Sequence, residues 1–145
     1  FNMSGWRVGM ILGNKSFIEA VLKVKSNMDS GMFYGIQKGA VEALKLKSDW
    51  FETQNVIYSK RRELIFQLAT QLECTFDTKS VGLFVWAKLP KGTLSSENFI
   101  DGILHEKHLF ITPGTIFGSN GEGYIRFSLC VNETKIKEAL SRFKA

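Results

Sequence analysis

The sequence predicts an α+β fold, and three observations carry that expectation. Short β-forming stretches occur at 82–90, "GLFVWAKLP", and at 121–131, "GEGYIRFSLCV". Longer stretches with apolar residues three and four apart surround them, most clearly at 14–26 and 48–73. The two kinds do not alternate regularly: the helical stretches dominate the first half, and the second half reads strand, helix, short strand, strand, helix. A chain of 145 residues, 44% of them hydrophobic, is long enough to bury roughly two-thirds of its unfolded surface. No apolar run approaches the roughly 18 residues of a membrane span.

Taken in order, residues 5–12, "GWRVGMIL", read as a strand ending at a Gly-Asn turn. Asn14 is placed to cap a helix whose apolar side carries Phe17, Ile18, Val21, Leu22 and Val24. "SNMDSGMFYG" interrupts it, because Gly31 and Gly35 weaken helix, and the helical period resumes at Ile36, Ala40, Val41 and Leu44. Ser48 or Asp49 is expected to start a long helix reaching about Glu73. A strand over 82–90 stops at Pro90, and a serine-capped helix over 95–108 presents Phe99, Ile100, Ile103 and Leu104. "LFITPG" is a short strand broken at Pro113. In the next strand Ile125, Phe127, Leu129 and Val131 share one face, while Tyr124, Arg126, Ser128 and Cys130 share the other. Asn132 caps a last helix with Ile136, Ala139, Leu140 and Phe143 turned inward.

Composition narrows the chemistry without naming it. The net charge of +5 permits nucleic-acid binding, but only "SKRRE" at 59–63 clusters cations, and a solvated helix face accounts for that cluster. Cys74 and Cys130 lie far apart in apolar surroundings and read as buried free thiols. His105 and His108 stand three apart near a helix C-terminus, where their charge favours the dipole; they lack the spacing of a zinc-peptidase motif. The glycines of 112–123 lack the P-loop pattern and read as a tight connection, which leaves open that the loop also faces a ligand. Two arginines are harder to dismiss. Arg7 in "GWRVG" and Arg126 in "YIRFS" both sit in strand-like stretches beside glycine and aromatics. A buried guanidinium needs an anion, either an internal carboxylate or a bound phosphate or carboxylate.

Four segments, "FNMSGWRVGMILGN", "SNMDSGMFYGIQKGAVEAL", "GLFVWAKLP" and "ITPGTIFGSNGEGYIRFSL", resemble, in the right order, the class I and II pyridoxal-phosphate aminotransferases of fold type I. The likeness is to the branch of alanine, aspartate, methionine and LL-diaminopimelate aminotransferases, and it covers essentially the whole chain against the C-terminal third of such enzymes. It implies that 1–30 are the end of a large cofactor-binding domain, 31–75 connecting helices and 76–145 a small α+β domain. It implies pyridoxal 5'-phosphate as cofactor, Arg7 as its phosphate partner and Arg126 as the clamp for a substrate α-carboxylate, with Phe117 and Gly118 shaping the substrate side.

The same resemblance places the lysine that bonds the cofactor just before Phe1, so no catalytic residue is expected within the 145 residues, and the chain by itself is expected not to turn over. It implies a cytoplasmic homodimer acting on an α-amino acid and a 2-oxo acid, with neither nucleic acid, membrane nor metal as partner. "SNMDSGMF" is similar to a stretch that approaches the neighbouring subunit's site. The fold also serves carbon-sulfur lyases and ligand-sensing domains of transcriptional regulators, which remain the alternatives.

Overall fold

Local signals account for most helix boundaries in the computed structural model, which describes residues 1–143. Helix α1, Lys15–Met28, starts where the Asn14 side chain accepts a hydrogen bond from the Ser16 amide at 2.9 Å. Gly31, at φ 103°, follows it, and α2 spans Tyr34–Ala43. Helix α3, Ser48–Gln71, is the longest element. It ends in a Schellman turn: Glu73 adopts φ 55°, its amide bonds the Thr70 carbonyl at 2.9 Å, and the Cys74 amide bonds the Ala69 carbonyl at 2.9 Å.

Strands β1, Thr75–Phe76, and β2, Phe84–Lys88, follow; then come α4, Ser96–Lys107, and β3, Thr112–Pro113. Strand β4, Tyr124–Ser128, and α5, Glu133–Ser141, complete the chain. Ser95 caps α4 by accepting from the Asn98 amide, and Asn132 caps α5 by accepting from the Lys135 amide.

The backbone divides into two units, Phe1–Glu52 and Thr53–Ala145. The second holds one antiparallel sheet in the order β1-β2-β4-β3. Its core face carries Val85, Ala87, Ile125, Phe127 and Leu129, packed with Ile65, Leu68 and Ala69 of α3, Ile100 and Ile103 of α4, and Ile136, Ala139 and Leu140 of α5. Val85, Ile125 and Leu129 are wholly buried, and each such side chain contributes about 1.5–3 kcal/mol through apolar burial. The opposite face is left open and carries Phe84, Trp86, Tyr124 and Arg126.

Four expectations need correction. Residues 5–12 do not form a strand: Ser4–Trp6 is a 3-10 turn, and 8–14 have no regular structure. A strand exists only through its ladder, and every strand of the described sheet comes from 75–128. The short β1 was missed, because two residues leave no periodicity to read.

The basic cluster is not a solvated face. Arg61 donates through Nε to Glu133 at 2.8 Å and through Nη1 to the Leu129 carbonyl at 3.1 Å, while Arg62 donates to the Ser80 and Gly82 carbonyls at 2.7 and 2.6 Å. These bonds tie α3 to the end of β4 and to the loop before β2. Both cysteines are free, but only Cys74 is buried, and desolvation raises its thiol to about 11. Cys130 lies past the end of β4 and is exposed.

In the first unit, α1 forms as expected but buries none of its residues; Phe17, Leu22, Val24 and Met28 are exposed. Its amphipathic pattern is therefore legible in sequence and uncovered among the described residues.

Candidate functional site

Arg126 is the middle residue of β4, directly opposite Trp86 on β2 and Thr112 on β3. Alternation puts Ile125 and Phe127 into the core, which turns Arg126 to the open face. There its guanidinium carbon lies 4.1 Å over the Phe84 ring and 4.1 Å over the Phe117 ring. Trp86 supports this group: its ring meets Phe117 edge-on at 5.8 Å and stacks on Tyr124 at 5.6 Å. Arg126 is half-buried, and among the described residues no carboxylate pairs with it. Of the two anion sources open at the sequence level, the internal one is not supplied among the described residues.

Phe117 reaches Arg126 because of how the preceding loop folds on itself. Pro113 leads into a 3-10 turn, Gly114–Phe117, followed by Gly118 and a second turn, Ser119–Gly121. The two turns pack backbone against backbone. A Cβ added at Gly114 would overlap the Gly121 carbonyl and approach the Tyr124 carbonyl to 2.8 Å, and one added at Gly121 would overlap the Gly114 carbonyl. Gly118 adopts φ 118°, ψ 171°, a conformation that strains any residue with a side chain. Reading these glycines as a tight connection was correct. That connection also sets an aromatic ring against the arginine.

The end of the loop is pinned by Glu122. Its Oε1 accepts from the Ser96 amide and hydroxyl, both at 2.7 Å, and from the Gly123 amide at 2.9 Å, while the wholly buried Ser96 Oγ accepts from the Gly123 amide at 2.8 Å. The Ser96 hydroxyl, then the two amides, stabilise the carboxylate and hold its pKa below the ordinary 4.5. A depressed folded-state pKa means that stability is present above the unfolded value and is lost as pH falls through the folded one. Wild-type protein is therefore expected to lose stability between about pH 5 and pH 3 more steeply than Glu122→Gln, as read by urea midpoints across that range. Parallel curves would remove Glu122 from this role.

Arg7 belongs to the first unit and stands on different ground from the sequence expectation. It is exposed rather than embedded in a strand, with φ 54° at the end of the Ser4–Trp6 turn. Its amide and its Nη1 both donate to the Ser4 carbonyl at 3.3 Å, which leaves most of the guanidinium fork available. His105 lies in the last turn of α4, and His108 ends that helix at φ 51° with its carbonyl accepting from Arg142 Nη1 at 2.7 Å. Among the described residues no group of three or more His, Cys, Asp or Glu is placed to hold a metal, and no helix is long and apolar enough to cross a membrane.

The structure thus brings Phe117 and Arg126 together, with Gly118 adjoining. Phe84 and Trp86 were not singled out from sequence. The signal was present: within β2 both fall on the face opposite the buried Val85 and Ala87, an unusual place for two large aromatics.

The second unit thus combines a four-stranded antiparallel sheet, helices on one face and, on the other, an arginine among aromatics that has no carboxylate partner among the described residues. The chain belongs to the aminotransferases of class I and II, whose family model matches residues 1–143. It is 41% identical over 144 residues to an LL-diaminopimelate aminotransferase of Halothermothrix orenii, covering 99% of this chain and 37% of that protein. The corresponding protein of Maridesulfovibrio salexigens is 39% identical, with 98% and 36% covered. Among solved structures, an aminotransferase from Staphylococcus aureus matches with a TM-score of 0.82 and 37% identity over 97% of this chain and 37% of that one. An aromatic aminotransferase from Pyrococcus horikoshii matches with a TM-score of 0.85 and 27% identity over 99% and 39%. The chain therefore spans little more than a third of the length of the relatives it matches.

Proposed function

We propose that this chain is the substrate-carboxylate-binding part of a pyridoxal 5'-phosphate-dependent aminotransferase that moves an amino group between an α-amino acid and a 2-oxo acid. The observation that carries the reading is the half-buried Arg126, flanked by ring faces and with no carboxylate partner among the described residues. A carboxylate ligand meets the N–H fork of a guanidinium in two parallel charge-assisted bonds, which fix orientation as well as affinity. Holding the carboxylate that way orients the substrate Cα, and Phe117 and Gly118 bound the space beside it.

Arg7 is the residue on which the phosphate of the cofactor would rest. An exposed guanidinium on a turn, spending one Nη1 on a carbonyl, suits a phosphate group, and family membership supports this cofactor. When bound, the cofactor supplies an electron sink for bond cleavage at the substrate Cα. We assign the whole protein to the cytoplasm as a homodimer, in keeping with such enzymes. The LL-diaminopimelate aminotransferases among its relatives make a diamino dicarboxylic acid the first amino donor to assay.

The test uses the whole enzyme that carries this chain, incubated with amino acids and 2-oxoglutarate while glutamate formation is followed. Amino transfer is expected, and Arg7→Ala is expected to weaken cofactor retention about 10- to 100-fold by removing charge-assisted bonds to the phosphate. Absence of transfer with every amino donor, or full cofactor retention by Arg7→Ala, would overturn the assignment.

A further inference from the structure

We propose that Phe84 is a positioning residue for the carboxylate clamp, acting with Phe117 to hold the Arg126 guanidinium in place. The inference rests on the carboxylate-binding reading of Arg126 and extends it to a residue to which that reading gives no role. A long arginine side chain loses rotamer freedom when it binds a ligand, so an arginine already held in place binds more tightly. The usual holder is a carboxylate, but a carboxylate would take the same N–H groups and charge that the ligand needs. A ring face attracts the cation through its quadrupole without accepting conventional hydrogen bonds from it. At Arg126 both holders are rings, each 4.1 Å from the guanidinium carbon, so position is fixed and the donor fork stays available.

The two rings come from separate parts of the chain, which makes the arrangement a property of the folded unit. Phe84 begins β2, and its register partner is Ser128, two residues along β4 from Arg126. Phe117 comes from the turn that closes onto the Gly114–Gly121 contact. Trp86, opposite Arg126, meets the Phe117 ring edge-on at 5.8 Å and so packs against one of the two holders. Phe84 is 42% exposed, so its ring contributes little to the core, and this position is one where loss of the aromatic is separable from loss of the fold.

The experiment uses the whole enzyme and measures, for Phe84→Leu, Phe84→Tyr and Arg126→Gln, the dissociation constant of 2-oxoglutarate, that of a carboxylate-free amine, kcat, and cofactor content. Phe84→Leu is expected to weaken 2-oxoglutarate about 3- to 30-fold, the range of one cation-π contact, and to leave the amine and the cofactor content unchanged. Phe84→Tyr, which keeps a ring face, is expected to restore most of the affinity. If Phe84→Leu weakens acid and amine alike, or neither, while Arg126→Gln weakens the acid alone, the positioning role is overturned and the clamp stands. If Arg126→Gln leaves the acid unaffected, the clamp itself fails and the proposal fails with it.

Discussion

Replacing Arg126 by alanine in the whole enzyme is expected to lower kcat/KM for amino acids from about 30-fold to several thousand-fold, with cofactor content unchanged. The range follows from about 2–5 kcal/mol for truncating one member of a desolvated, hydrogen-bonded charge pair, at about 1.4 kcal/mol per factor of ten. On the proposed reading, the half-buried guanidinium between the Phe84 and Phe117 rings would bind the ligand's carboxylate through two charge-assisted bonds, and truncation would remove both. Lysine at this position should recover only part of the loss, because a point charge cannot form the two parallel bonds of the guanidinium fork. Steady-state kinetics and the absorbance of bound cofactor read the two effects separately. Cofactor loss equal to that of Arg7→Ala would contradict the division of roles between the two arginines.

The second large effect comes from a methyl group. Gly121→Ala is expected to destabilise the protein by about 3 kcal/mol or more, at the upper end of overpacking costs, because the obstacle is backbone and not a side chain that can swing aside. The added Cβ falls on the Gly114 carbonyl, so the two turns must part, and with them moves the ring of Phe117. Substrate affinity should fall along with stability. Gly102→Ala is the control with opposite sign. It lies inside α4 with nothing within 4 Å of its would-be Cβ, and alanine there is expected to stabilise by about 0.5–1 kcal/mol. Urea midpoints for the two variants decide the matter, and equal shifts would refute the packing account.

Much of the fold was legible because much of it is local. The caps at Asn14, Ser95 and Asn132 act within three residues of themselves, and each begins a helix where its sequence neighbourhood indicates. The alternation in β4 is likewise a local pattern, and it sorted Ile125 and Phe127 from Arg126 correctly. What failed depended on distant partners. Residues 5–12 have the composition of a strand, yet within the described residues nothing pairs with them, and composition carries no information about a missing ladder. Arg61 and Arg62 look like solvated cations until Glu133 and the carbonyls of Ser80, Gly82 and Leu129 arrive from elsewhere in the chain. Cys130 shares an apolar context with Cys74, but past the end of β4 it is the neighbouring Leu129 that enters the core, and Cys130 is left exposed.

The sequence by itself determined the α+β class, the helix starts, the family to which the motifs around Arg7 and Arg126 belong, and the fact that Arg126 faces away from the core. Only the tertiary structure decided what surrounds that cation. Antiparallel register brings Trp86 opposite Arg126 and Phe84 beside it, and the backbone contact of Gly114 with Gly121 closes the loop that carries Phe117. Strand pairing and loop closure join residues tens of positions apart, and no local spacing encodes which of them will meet.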